Sequence, residues 1–153
     1  LLAVAAIGVG CSQQDQAPGN GQHGTSSDEN WGTNLEAALT KAKTANKMVF
    51  VDFTGSDWCP PCMALHKNVL TQKAFLDYAK ENLELVVLDF PRSKPLPEAQ
   101  QKYNQDLARK HKIEGYPTVI VFDGDEKEVH RAVGFSGQDA AGYVASLKKA
   151  LNQ

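Results

Sequence analysis

The chain has 153 residues, 42% of them apolar, and a formal net charge of −2. That length suits one domain, and the apolar share is enough to pack a core without a disulfide scaffold. Charges of both signs are interspersed, so no basic face points to nucleic acid and no acidic tail is present.

Leu1 to Gly10 is a run of small and apolar residues that ends at Cys11. It is too short for a bilayer span, which takes about 20 helical residues. It reads as the remnant of a secretory signal peptide. Gly8 and Gly10 before Cys11 resemble a bacterial lipoprotein cleavage site, which makes Cys11 the candidate for lipidation. The alternative is an ordinary secretory signal with an incidental cysteine. Residues 11–30 are polar, rich in Gln, Gly, Ser and Asn, and read as a flexible tether with a reach of roughly 25 Å. His23 lies within this tether and reads as solvated.

The folded domain is expected over residues 31–153. Thr33-Asn34-Leu35-Glu36 has the spacing of a capping box, with Thr33 as N-cap. The helix behind it puts Leu35, Ala38, Leu39 and Ala42 on one face. Met48 to Phe53 is an apolar run with β-branched residues that ends in Asp52-Phe53, the pattern of a buried central strand. Next comes Trp58-Cys59-Pro60-Pro61-Cys62. Two prolines in succession are tolerated in the first turn of a helix, where backbone N–H groups lack partners anyway. A helix therefore starts at or just before Cys59 and runs to about Leu70, and Thr71 is expected to cap a further segment through Glu81.

Leu83 to Phe90 is a second buried strand, followed by the breakers Pro91, Pro95 and Pro97. Glu98 to Lys112 reads as a helix with Tyr103, Leu107 and Ala108 inward. After the turn Gly115-Tyr116-Pro117, Thr118 to Phe122 and Glu128 to Val133 form a strand pair about Asp123-Gly124-Asp125. Ser136 and Asp139 are expected to cap a last helix to Leu151. This order predicts an α/β domain, a mixed four-stranded sheet with helices on both faces.

Cys59 and Cys62, at i and i+3 behind a strand and at a helix start, have the arrangement of a redox dithiol. The helix N-terminus favours a thiolate at Cys59, which makes it the nucleophile; Cys62, one turn further in, is expected to be more buried and to resolve the mixed disulfide. A structural disulfide is disfavoured because so short a loop constrains the unfolded chain little. Metal binding by Cys59, Cys62 and His66 lacks a fourth ligand. His66, His111 and His130 read as surface residues.

Val51-Asp52-Phe53, Trp58-Cys59-Pro60-Pro61-Cys62, Gly115-Tyr116-Pro117-Thr118 and Val133-Gly134 stand in the order and at the spacing of the thioredoxin superfamily, which the chain resembles over residues 31 to 153. The stretch Phe53 to Cys59 is similar to exported bacterial thioredoxin-like and disulfide-isomerase-like proteins, with one more loop residue than thioredoxin itself. Pro60-Pro61 and Met63 replace the Gly-Pro and Lys usual in thioredoxin. The resemblance implies a thioredoxin fold and a redox disulfide between Cys59 and Cys62. It implies that Asp52 is the buried acid that helps deprotonate Cys62; the alternative is a carboxylate satisfied by local hydrogen bonds or by Lys47. It implies a cis Pro117 opposite the dithiol, with Tyr116, Trp58 and Gly134 lining the substrate groove.

The expected function is a thiol–disulfide oxidoreductase that reduces or isomerises disulfides of envelope proteins on the periplasmic side. It needs no cofactor or metal beyond its dithiol. A transmembrane reductase is the implied electron donor, and a lipid on Cys11 the implied membrane contact. No heptad or apolar stripe suggests an oligomer, so a monomer is expected. The alternatives are a dithiol oxidase and a non-catalytic binding module or chaperone with a permanently closed Cys59–Cys62 bridge.

Overall fold

The computed structural model describes residues 30–153. The signal remnant, Cys11 and most of the tether lie outside the described residues.

At the centre of the sheet is β2 (Met48–Thr54), whose residues from Val49 onward are all buried. It pairs in parallel with β3 (Leu83–Asp89), Val51 opposite Val86, and antiparallel with β4 (Thr118–Phe122), Val51 opposite Ile120. A strand with partners on both sides and helices above and below has no solvent-facing side, hence its apolar run, interrupted at Asp52. β5 (Glu128–Val133) pairs antiparallel with β4. A fifth strand, β1 (Trp31–Gly32), adds in parallel to the outer edge of β3, giving the order β1-β3-β2-β4-β5. The sheet is therefore five-stranded where the sequence pattern predicts four. Two residues are too few to display a period of two.

Five α-helices cover the two faces: α1 (Leu35–Ala45), α2 (Pro60–Leu65), α3 (Lys73–Asn82), α4 (Glu98–Lys110) and α5 (Ala140–Ala150). One core packs α1 and α4 on Val49, Val51, Phe53, Ile120 and Phe122. The other packs Leu65, Phe75, Val144 and Leu147 on Phe50, Val119 and Val121. Alternation along β2 puts Asp52 on the same face as Phe50, beneath α2.

The capping assignments need correction. Asn34, not Thr33, caps α1: its Oδ1 accepts from the Ala37 N–H at 2.7 Å. Glu36 does not reach back to the cap; its carboxylate accepts from the Tyr103 hydroxyl, which also accepts from the Leu35 N–H. That ties α1 to α4. Asp139, not Ser136, caps α5 by accepting from the Gly142 N–H. Thr71 caps nothing at its N-terminal side: α2 continues into a π-turn (His66–Leu70), and the Thr71 hydroxyl closes it by donating to the carbonyls of His66 and Lys67. His111 is not a surface residue. Its ring packs 5.0 Å from that of Phe122, and burial pushes its pKa down.

Candidate active site

Register brings the site together. β2 ends at Thr54 and β4 begins at Thr118, opposite Phe53, so the loops 55–59 and 115–117 leave the same edge of the sheet. Val133 pairs with Thr118 and brings Gly134 to that edge as well, where the Gly134 N–H donates to the Pro117 carbonyl at 2.8 Å. The Tyr116–Pro117 bond is cis.

Cys59 is the N-cap of α2, and Pro60 and Pro61 fill the first turn. Cys59 and Cys62 form a disulfide with a Cα–Cα separation of 5.2 Å. The Cys59 Sγ also accepts from the Cys62 N–H at 3.3 Å, so it sits where an unpaired helix N–H points. Both cysteines are buried, with 3% and 2% exposure, so the difference in burial that position alone suggests is not present in the oxidised form. What distinguishes them is that Cys59 lies outside the first turn and Cys62 within it.

Behind the disulfide is a cavity of about 390 Å³ lined by Cys62, Asp52, Asp89, Trp31, Met63 and His66 among others. No lysine or arginine lines it. Asp52 is buried and its Oδ1 has no hydrogen-bond partner. Lys47 does not serve it, because that ammonium donates to the Lys80 carbonyl and faces Glu84. Burial, with a smaller contribution from the neighbouring Asp89 carboxylate, raises the Asp52 pKa to about 7. A carboxyl so placed exchanges a proton near neutrality.

Each residue of Ser56 to Trp58 is tied to the segment that follows β3. Ser56 donates to the Asp89 carboxylate from its N–H at 2.9 Å and its hydroxyl at 2.5 Å. The Asp57 carboxylate accepts from the N–H groups of Arg92 and Ser93, which hold its pKa below the ordinary carboxylate value. The Trp58 indole donates to the Phe90 carbonyl at 2.7 Å. Tyr116 packs against both Trp58 and Phe90, with ring centroids 5.7 and 5.1 Å away. The Arg92 guanidinium lies over Trp58, 3.9 Å from the ring centroid. Gly55 completes the seat of Trp58, since a Cβ there would come within 2.5 Å of the indole.

Asp57, Asp89, Arg92, Gly55 and the buried Asn104, whose amide donates to the Asp89 carbonyl, were not identifiable from spacing. Their partners lie 15 to 36 residues away in most cases. Among the described residues no group of three or more His, Cys, Asp or Glu is arranged to hold a metal ion.

A mixed sheet between two helical layers, a disulfide at the start of α2 and a cis proline at the same edge define the class of thioredoxin-fold proteins with a CxxC-type site. The family described as the thioredoxin-like domain matches residues 35–150, and the chain belongs to it. The disulfide bond reductase DsbH of Chlamydia pneumoniae is 35% identical over 114 residues, covering 74% of this chain and 68% of that protein. The thioredoxin-related protein DsbJ of the same organism is 30% identical over 117 residues, 76% of this chain but 34% of that longer protein. The solved structure of a DsbH oxidoreductase superposes with a TM-score of 0.74 at 30% identity, covering 89% of this chain and 95% of that one. Fold, dithiol and relatives make this chain a thiol–disulfide oxidoreductase.

Proposed function

We propose that the protein works in the reducing direction on disulfides of envelope proteins, with Cys59 as nucleophile, Cys62 as resolving thiol and Asp52 as its proton acceptor. The observation that carries this is the cavity shared by Cys62 and the unpartnered Asp52 carboxyl. In the reduced protein, the Cys59 thiolate attacks one sulfur of a substrate disulfide, and a substrate thiolate leaves. Cys62 passes its proton to Asp52 and attacks the Cys59 sulfur. The second substrate thiolate leaves and is protonated from solvent. The substrate gains two electrons and the protein becomes the disulfide seen here.

The surroundings of Cys62 support this direction. Asp52 and Asp89 oppose a second negative charge there, and no lysine or arginine in the cavity compensates. That disfavours the dithiolate relative to the disulfide and makes the dithiol a better electron donor. The likeness to a disulfide bond reductase agrees. Tyr116, Pro117, Trp58 and Gly134, gathered at one edge, form the surface against which the substrate's cysteine segment lies.

The same reading places the domain on the periplasmic side of a bacterial envelope, held through Cys11 and residues 11–30, and re-reduced by a transmembrane reductase. No described helix is long and apolar enough to cross a membrane. Mass spectrometry of the N-terminal cysteine in the expressed precursor tests the tether.

The deciding measurement is the reduction potential of Cys59–Cys62 in defined thiol buffers. A value near about −270 mV is expected for a donor. One near about −120 mV reverses the direction to that of an oxidase. Failure to equilibrate removes the enzyme and leaves a binding module.

A further inference from the structure

The chain carries three arginines, all among the described residues. Arg109 pairs with Asp106 and Arg131 with Glu128. Arg92 has no carboxylate partner within the described residues; its guanidinium lies instead on the face of Trp58, the residue next to Cys59, and the side chain is exposed. The ring beneath the guanidinium and the backbone that carries Arg92 are both tied to neighbouring segments. The Arg92 N–H is held by Asp57, the preceding loop residue Phe90 holds the indole through its carbonyl, and Gly55 backs the ring. An arginine stacked on an aromatic ring keeps its N–H edge available, and a planar fork already positioned loses little freedom when it takes a carboxylate in two parallel hydrogen bonds.

We propose that Arg92 is a docking residue that selects cystine-bearing polypeptide segments with an Asp or Glu side chain close to the disulfide. This rests on the oxidoreductase reading above and adds to it a chemical preference among substrates. The loop 90–97 thus has two tasks. It clamps the Cys59 loop from the end of β3, and it presents the Arg92 guanidinium on the face of the residue next to Cys59. The apolar neighbours Trp58 and Tyr116 supply contact without sequence preference, whereas Arg92 supplies the discrimination.

The test uses the full domain recycled by dithiothreitol and two fluorogenic cystine peptides, identical except that Asp and Glu beside the disulfide in one are Asn and Gln in the other. The wild type is expected to favour the acidic peptide by about two- to fivefold in kcat/KM, the value of one exposed ion pair, and the preference shrinks at high salt. Arg92→Gln brings the ratio to about one. Arg92→Lys gives an intermediate ratio, because it keeps the charge and loses the fork. A role confined to supporting Trp58 slows both peptides alike and leaves the ratio unchanged, and that result overturns the proposal. A wild-type ratio of one also overturns it while leaving the oxidoreductase reading intact. No reduction of either peptide removes both.

Discussion

Asp52 shows how one residue links stability to chemistry. Its pKa of about 7 lies well above the ordinary carboxylate value because burial penalises the charge and Asp89 adds repulsion. Between about pH 4 and 7 the folded protein keeps a proton that the unfolded chain has released, so stability falls as pH rises through that window. Above it the loss is complete, on the order of 4 kcal/mol. Asp52→Asn should therefore flatten the pH dependence and stabilise the oxidised protein at pH 8, while slowing the resolving step. Urea denaturation of both proteins at pH 5 and pH 8 checks this; an undiminished slope in the variant would assign it to another group. Asp89→Asn should act in the opposite sense on the chemistry. Without that charge Asp52 ionises at lower pH, so the acid limb of peptide reduction shifts downward, and Asn still offers an oxygen to the Ser56 N–H.

At the scale of elements, the loop between β2 and α2 is not self-supporting. Ser56, Asp57 and Trp58 each bond to Asp89 or to the residues just after it. Gly55→Ala should test the seat of Trp58. The added Cβ meets the indole, and overpacking of this kind costs about 1–3 kcal/mol. The indole N–H resonance of Trp58 should shift as its bond to the Phe90 carbonyl is lost, and an unchanged resonance would mean that the backbone yields instead. Asp57→Ala should leave the sheet intact but accelerate amide exchange at Arg92 and Ser93. None of this clamp was legible in the sequence, because Asp57 and Arg92 are 35 positions apart and no local period links them. What was legible is what local rules encode: the apolar run of β2, two prolines opening a helix, the order of the strands. Where rules compete, as between Thr33 and Asn34 for the cap of α1, both residues qualify by type, and the backbone conformation that decides is invisible in the letters. The π-turn at His66–Leu70 likewise has the same apolar face as an ordinary helix.

At the scale of the whole molecule, the two cores divide the labour. The α1–α4 side packs an apolar core with buried Asn104 and the His111 ring at its margin, whereas the opposite side, between β2, α2 and α5, admits the cavity with its two carboxyl groups. β1 closes that side. Trp31 walls the cavity and packs edge-on against Phe50, with ring centroids 6.1 Å apart. Trp31 thus helps keep water from Asp52, more than 20 positions downstream. Trp31→Ala should have two effects of opposite pH character. Loss of packing destabilises the domain at every pH, by about 2 kcal/mol for a half-buried ring. Entry of water lowers the cost of ionising Asp52, so its pKa falls toward the ordinary value and stability declines less as pH rises. The variant should therefore be weaker than wild type at pH 5 by more than it is at pH 8. Denaturation curves at the two values separate these contributions. An equal loss at both would mean that the sheet and α2, without β1, suffice to desolvate the acid, and the short fifth strand would then matter to the fold alone.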